Sequence, residues 1–210
     1  MIILFDLDGT LIDSTEAILE GFTVAFQTFG RDVPSDEAIK KEIGYPLDVM
    51  FPTLGIPEEE VIAHVQTYKE HYRKIACDKT VLLPQAREAV LLASQHATLG
   101  IVTTKTAKYS IELLEYMGLM EYFAVLIGRE DVEYPKPHPE PILKALSKLQ
   151  SVTTKYWMVG DTPMDIEAAN AAGINSVAVT CGYADKKLLL EHTDNVYQTA
   201  LEAVQFITVS

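Results

Sequence analysis

The spacing of hydrophobic residues divides the chain into three parts. The first part is the continuous apolar run Ile2-Ile3-Leu4-Phe5, which is typical of a short strand buried on both faces of a parallel sheet. From about Ser14 to Lys79, apolar residues recur at helical spacing and no strand pattern stands out. From Val81 onward, short apolar runs alternate with helical segments. This alternation predicts an α/β fold with a doubly wound parallel sheet of the Rossmann-like type.

Start and stop signals locate the individual elements. Four helices are predicted within the helical stretch, and the clearest begins at Pro57 with acidic residues in its first turn. After that stretch, the predicted strands are Leu99–Val102, Ala124–Ile127, Tyr156–Val159 and Ser176–Val179, followed by a weak strand and a final helix. We therefore expect a core domain of residues 1–13 and 80–210, interrupted by a helical insertion of residues 14–79.

Composition and charge exclude several classes of partner. A chain of 210 residues with 48% hydrophobic and 22% charged residues is ordinary for a globular protein, and no apolar run approaches membrane-spanning length. The formal net charge of −13 argues against nucleic acid or an anionic membrane as partner. Cys77 and Cys181 are far apart and predict two reduced thiols. Because no basic leader precedes Asp6, we expect a cytoplasmic protein.

Polar residues follow the predicted strands. Asp6, Thr103 and Asp161 come at or beside the ends of apolar runs, and Lys136 lies a few residues beyond a fourth such end. Ligands of an open parallel sheet bind in the crevice outside the carboxyl ends of its strands, so these side chains are expected to face one cleft. Asp8 adds a second carboxylate at the exit of the first strand, and the repulsion between Asp6 and Asp8 calls for a cation.

The residue types in this cleft suggest a metal ion and a phosphate. Asp6, Asp161 and Asp165 offer the hard oxygen ligands that Mg²⁺ prefers, and they leave coordination positions for water and substrate. Lys136 and Thr103, together with the backbone N–H groups of the Asp8–Gly9 turn, would then hold the phosphoryl oxygens.

Each of these residues also has a plainer interpretation. Asp165 suits the first turn of a helix without any metal, Thr103 suits the end of a strand, and Lys136 suits an exposed loop. Lys105 is expected to be a solvated lysine beside the cleft, and His64 a surface residue. The combination of residues is far more specific than any one of them.

These residues resemble the motifs of a known enzyme family. The segment Phe5-Asp-Leu-Asp-Gly-Thr10 is similar to the first motif of the haloacid dehalogenase superfamily of phosphohydrolases. Thr103, Lys136 within PKPHPEP, and Gly160-Asp-Thr-Pro-Met-Asp165 resemble the second, third and fourth motifs, in the right order. The resemblance extends over essentially the whole chain and is strongest to phosphoglycolate phosphatase-like enzymes. It implies that the helical insertion is the small α-helical cap of that family.

The resemblance assigns a role to each matching residue. Asp6 would be the nucleophile that forms a transient aspartyl-phosphate, and Asp8 the general acid and then the base. Mg²⁺ would be bound by the side chains of Asp6 and Asp161 and by the backbone carbonyl of Asp8, with Asp165 acting directly or through water. Thr103 and Lys136 would hold the phosphoryl group. The residues expected to contact the substrate are Gly9, Thr104, Lys105 and, in the predicted cap, Tyr45.

Two departures from the family pattern touch no core catalytic role, but they argue against assigning one named substrate. Thr104 stands where many relatives have asparagine, and Gln85 follows Pro84 where relatives often have glycine. Tyr45 lies in a predicted break between helices, which is either a specificity loop or an ordinary turn.

The expected function is hydrolysis of a small phosphate ester. We expect a Mg²⁺-dependent phosphatase that acts on a phosphoglycolate-like phosphomonoester and works as a monomer or a homodimer. An inorganic pyrophosphatase and a β-phosphoglucomutase-like phosphomutase remain the alternatives, because the same cleft would serve either reaction. A purely binding protein would have no need for the acid/base carboxylate of Asp8.

Overall fold

The computed structural model describes residues 1–149 and 155–209. The strands are β1 (Ile2–Phe5), β2 (Ile12–Asp13), β3 (Val81–Leu82), β4 (Thr98–Val102), β5 (Phe123–Ile127), β6 (Tyr156–Gly160), β7 (Asn175–Val179) and β8 (Val196–Tyr197). The helices are α1 (Thr15–Thr28), α2 (Asp36–Glu42), α3 (Leu47–Thr53), α4 (Glu58–Ile75), α5 (Ala86–Ser94), α6 (Ala107–Tyr116), α7 (Glu140–Leu149), α8 (Pro163–Ala171), α9 (Lys186–Leu190) and α10 (Ala200–Val209).

Six strands form one parallel sheet in the order β5-β4-β1-β6-β7-β8. The chain runs outward from β1 through β4 to β5, and it then returns to add β6, β7 and β8 on the other side of β1. The direction of winding therefore reverses between β1 and β6, which is where open sheets of this type bind ligands. This topology confirms the predicted doubly wound α/β fold.

The central strand β1 is buried on both faces because helices cover each of them. Ile2 and Leu4 belong to a core cluster that α7 and α8 complete with apolar residues. Since side chains alternate along a strand, Ile3 and Phe5 point to the other face, and α5 and α10 pack together against the strands there. All four side chains of β1 are inaccessible to solvent. A continuously apolar run at the start of the chain is what such a strand requires.

The chain divides into two compact units, one formed by Met1–Asp13 with Leu82–Ser210, and the other by Ser14–Val81. The second unit contains α1 to α4 and, among the described residues, no β-strand apart from the part of β3 at its boundary. The short elements β2, β3 and α9 were not predicted, because two to five residues carry little periodicity. Among the described residues, no helix combines the length and the apolar character needed to cross a membrane.

An aromatic cluster forms the core of the helical unit. The ring of Phe51 packs against those of Phe22, Phe26 and Tyr68, with centroid separations of 4.7, 6.0 and 6.3 Å. The expectation of a surface histidine at position 64 is wrong, because His64 is fully buried in this cluster. Its Nδ1 lies 2.9 Å from the carbonyl oxygen of Glu60, and since a carbonyl only accepts, Nδ1 carries the proton.

Gln85, which stands where relatives often have glycine, has an unusual backbone conformation. Gln85 immediately precedes α5 and has φ +62°, the left-handed region that favours glycine. Among the described residues, no other non-glycine residue has a positive φ. Its side-chain oxygen accepts a 3.4 Å hydrogen bond from the hydroxyl of Thr199, which is too long to offset much strain.

We expect Gln85→Gly to stabilise the protein by roughly 0.5–1 kcal/mol, because it relieves the left-handed strain and loses only the long bond to Thr199. The measurement is the free energy of unfolding from urea denaturation. Gln95→Gly is the matched control, because Gln95 follows the same helix at an ordinary φ of −75°. That control should lose stability, and an equal loss in both variants would contradict the prediction.

Candidate active site

Three buried aspartates meet beside the reversal point of the sheet. Asp6 follows β1, Asp161 follows β6, and Asp165 lies in the first turn of α8. Asp6 is 5% exposed and the other two are fully buried, and one carboxylate oxygen of each lies within 4.8 Å of the others. The adjacent strands β1 and β6 thus deliver their acids to the same point, as their parallel pairing requires.

The ammonium group of Lys136 joins three elements around these acids. Its Nζ donates to Asp6 Oδ1 at 2.7 Å, to Asp165 Oδ1 at 2.5 Å and to the carbonyl oxygen of Val102 at 3.1 Å. An ammonium has three N–H donors, so each of them has a partner. Lys136 is only 4% exposed, and the expectation of an exposed loop lysine is therefore excluded.

The remaining carboxylate oxygens differ in how strongly the protein engages them. Asp165 Oδ2 accepts from both the N–H and the hydroxyl of Thr162, which closes a capping box at the start of α8. Asp161 Oδ1 accepts from the hydroxyl of Thr10 at 3.2 Å, and its Oδ2 from the N–H of Tyr183 at 2.9 Å. Asp6 Oδ2, in contrast, receives no hydrogen bond from any described residue.

The turn after β1 brings the backbone close to these acids. Gly9 has φ +82°, and a Cβ there would lie 2.2 Å from Asp161 Oδ2. A Cβ on Gly182, in the loop after β7, would lie 2.1 Å from the same oxygen. Both positions require glycine for steric reasons, because any larger residue would displace the carboxylate of Asp161. Next to this turn, burial raises the pKa of the Cys181 thiol to about 11, so it is neutral at pH 7.

Asp8 and Lys105 form a second charged pair. The Nζ of Lys105 lies 3.1 Å from Asp8 Oδ2, and the two side chains are only 11% and 12% exposed. The expectation that Lys105 is a solvated lysine is therefore wrong. Its backbone N–H donates to the hydroxyl of Thr103 at 3.2 Å, which connects the pair to the end of β4.

Burial dominates the electrostatics of the acids. It raises the pKa of Asp6 from 3.8 to about 7, because the charge of Lys136 offsets only part of the desolvation and Asp165 repels. Burial, followed by the charges of Asp165 and Asp6, raises the pKa of Asp161 well above its usual value. Burial alone would lower the pKa of Lys136, but the charges of Asp165 and Asp6 outweigh it and the net shift is upward.

The structure therefore brings together most of the residues singled out in the sequence. Asp6, Asp161, Asp165 and Lys136 form one cluster, and Gly9 lies against it. Asp8, Thr103 and Lys105 form the adjoining group, and Thr104 lies between the last two in the chain. Tyr45 is 42% exposed in the helical unit, where its predicted contact with substrate stays a prediction.

Sequence reasoning missed the groups that orient the acids. Thr10, Thr162 and the N–H of Tyr183 all bond to acidic residues of the cluster. Tyr183 could have been found from the rule that ligands gather at strand ends, because its loop follows β7. Glu140 was also missed. From the start of α7, its carboxylate accepts the N–H groups of two residues ahead of Lys136 and so shapes the loop that carries this lysine.

Comparison with known proteins places this site in a family. The sequence profile of the haloacid dehalogenase-like hydrolases matches residues 3–179, which include all the acids and lysines described above. The chain belongs to this family. The haloacid dehalogenase-like fold also appears in a family hydrolase from Streptococcus pneumoniae, which superposes with a TM-score of 0.87 at 28% identity, covering 98% of this chain and 97% of the other.

Curated relatives within the family carry a more specific name. The chain is 33% identical to the phosphoglycolate phosphatase of Salmonella typhimurium strain LT2, and the match covers 93% of this chain and 87% of the relative. It is 31% identical to the phosphoglycolate phosphatase of Escherichia coli strain K12, with the same coverage. Similarity to phosphoglycolate phosphatases therefore extends over nearly the whole of both chains.

The acid cluster has the chemistry of a divalent cation site. Three carboxylates converge where one lysine supplies the balancing charge, and the raised pKa values of Asp6 and Asp161 show that their ionised forms lack sufficient stabilisation from the protein alone. A cation within reach of Asp6 and Asp161 would supply it. The residues of this haloacid dehalogenase-like hydrolase thus fit a metal ion.

Stability without a divalent ion should fall as the pH rises. Between pH 3.8 and about 7 the folded protein keeps a proton on Asp6 that the unfolded chain has released, and the raised pKa of Asp161 acts in the same direction. Raising the pH through this window therefore removes stability, on the order of a few kcal/mol. We expect chelator-treated protein to lose unfolding free energy from pH 5 to 8, and Mg²⁺ to restore more of it at pH 8 than at pH 5.

Asp161→Asn is the control for this prediction, because it removes one buried acid and retains the shape of the side chain. The variant should show a shallower pH dependence than the parent without a divalent ion, together with a reduced Mg²⁺ effect. Equal pH slopes in the two proteins, measured by urea unfolding at each pH, would show that the acid cluster is not the cause.

Proposed function

We propose that this hydrolase is a Mg²⁺-dependent phosphatase that acts on a small phosphomonoester of the phosphoglycolate type through an aspartyl-phosphate on Asp6. The observation that carries the proposal is the state of Asp6. One of its oxygens is held by Lys136, while the other receives no hydrogen bond from a described residue. A carboxylate oriented at one oxygen and open at the other is suited to nucleophilic attack.

The charges explain how this acidic cluster would accept a phosphate. Asp6, Asp161 and Asp165 outweigh Lys136, so an incoming dianion needs a further cation. Asp6, Asp161 and the backbone carbonyl of Asp8 would hold Mg²⁺, which supplies charge neutralisation for the phosphoryl oxygens. Asp165 is already engaged by Lys136 and Thr162, which favours a supporting role for it.

The protein groups would divide the two chemical steps among them. Asp6 attacks phosphorus and the bond from phosphorus to the ester oxygen breaks, while Asp8 gives its proton to that oxygen. Asp8 then takes a proton from water, the water oxygen attacks phosphorus, and inorganic phosphate leaves with Asp6 restored. The Thr103 hydroxyl and the Asp8–Gly9 turn would lie against the phosphoryl oxygens during both steps, and the charge of Lys136 beside Asp6 would offset their negative charge. Thr104 and Lys105, which follow Thr103 in the loop after β4, would contact the substrate.

The helical unit would serve as the family's cap, with domain limits of 14–79 for the cap and 1–13 plus 80–210 for the core. Its exposed Tyr45 would contact the leaving group. We also propose that the ligand is a small phosphate ester, that the protein is cytoplasmic, and that it works as a monomer or a homodimer.

Phosphate release with Mg²⁺ from phosphoglycolate, pyrophosphate, sugar phosphates and an aryl phosphate tests the reaction class. We expect phosphoglycolate to give the highest kcat/KM. Preference for pyrophosphate would replace the proposal by a pyrophosphatase. Conversion of β-glucose 1-phosphate to glucose 6-phosphate without phosphate release would replace it by a mutase.

Asp6→Asn and Asp8→Ala should both abolish turnover, by roughly 10³-fold or more, but at different steps. Asp6→Asn cannot form the phosphoenzyme. Asp8→Ala should still be phosphorylated by an aryl phosphate, whose leaving group needs no acid, and should then accumulate phosphoenzyme because it lacks the base. The measurement is the amount of label bound covalently to each variant after incubation with an aryl phosphate labelled in its phosphoryl group and quenching with acid.

Asp32→Asn is the matched control, because Asp32 is exposed in the helical unit and makes none of the contacts described for the site. It should turn over like the parent protein. If the Asp6→Asn variant carried as much covalent phosphoryl label as the Asp8→Ala variant, Asp6 would be excluded as the nucleophile.

A further inference from the structure

The ion pair of Lys105 with Asp8 places a second lysine ammonium at the exit of β1, separate from the one that Lys136 supplies to Asp6. The Lys105 ammonium lies 3.1 Å from Asp8 Oδ2, with both side chains nearly buried. The three N–H donors of Lys136 are bonded to Asp6, Asp165 and the Val102 carbonyl, so Lys136 has no donor left for a leaving group.

The backbone of Lys105 is held on both sides, and its ammonium is oriented by the ion pair with Asp8. Its N–H donates to Thr103 Oγ1 at 3.2 Å, and its carbonyl accepts the N–H of Arg129 at 3.0 Å. Two residues later, the N–H of Ala107 at the start of α6 donates to the carboxylate of Glu130. A long flexible side chain on a fixed backbone segment loses less freedom when it binds a ligand.

The role of Asp8 determines what Lys105 would meet. In the proposed phosphatase reaction, Asp8 gives its proton to the ester oxygen, so Lys105 lies beside the leaving group. A negative charge on that leaving group would be repelled by the carboxylates of Asp6, Asp161 and Asp165. The Lys105 ammonium offsets this repulsion only if the leaving group's charge lies within a few bonds of the ester oxygen, because a charge-assisted hydrogen bond needs roughly 2.7–2.9 Å.

We propose that Lys105 is a specificity-determining residue that selects phosphate esters whose leaving group carries an anion close to the ester oxygen, such as an α-hydroxy carboxylate. The inference rests on the proposed phosphatase function. It places the recognition of the leaving-group charge in the core unit, on the loop after β4. An uncharged leaving group of the same size gains nothing from this lysine.

The test compares 2-phosphoglycolate with ethyl phosphate, which has a methyl group in place of the carboxylate. We expect Lys105→Met to lower kcat/KM for phosphoglycolate roughly 10- to 100-fold more than for ethyl phosphate, mainly through KM. Lys105→Arg keeps the charge and should recover part of the selectivity. Lys105→Gln provides a second neutral variant if the methionine variant does not fold.

Lys108→Met is the matched control, because Lys108 lies on the following helix with its side chain 68% exposed. It should leave the ratio of the two kcat/KM values unchanged. Equal losses on both substrates in the neutral Lys105 variants would overturn the inference, since Lys105 would then only position Asp8. A parent protein that releases phosphate from neither ester would overturn the proposed function itself, and the inference with it.

Discussion

The saturated ammonium of Lys136 is the interaction on which the site depends. It connects the end of β1 through Asp6, the end of β4 through the Val102 carbonyl and the start of α8 through Asp165. Without this one positive charge, the buried carboxylates would repel one another in a medium that screens them poorly. The lysine comes from a loop in which Glu140 accepts two backbone N–H groups, so a carboxylate outside the cluster helps to hold this loop.

The position of the acids follows from the winding of the sheet. Because the strand order reverses between β1 and β6, the two strands that carry Asp6 and Asp161 are neighbours although they are separated by most of the chain. The apolar strands fix where each acid emerges, and Gly9 and Gly182 let two backbone segments approach Asp161 closely. The hydrophobic core therefore offsets the unfavourable free energy of bringing these carboxylates together. A bound cation would reduce their repulsion.

Periodicity and strand-end chemistry were sufficient to predict the α/β fold and the convergence of Asp6, Asp161 and Lys136. They could not predict features that depend on neighbours distant in sequence. The burial of Lys105 depends on its approach to Asp8, and the burial of His64 depends on aromatic residues of two other segments, α1 with its C-terminal cap and α3. Asp161 accepts a hydrogen bond from the backbone N–H of Tyr183, so the position of Tyr183 after β7, and not its residue type, is the only sequence signal for this contact.

The two lysines suggest how an acidic protein separates reactivity from selectivity. Lys136 has no donor left after its three bonds, so a change in the leaving group cannot recruit it without releasing Asp6 or Asp165. Lys105 pairs with Asp8, and its side chain is 11% exposed. A new anionic partner for Lys105 would leave the bonds of Asp6 and Asp165 in place, whereas a new partner for Lys136 would break one of them. In the proposed phosphatase, a substitution at Lys105 would therefore change specificity and leave the charge balance around Asp6 unchanged.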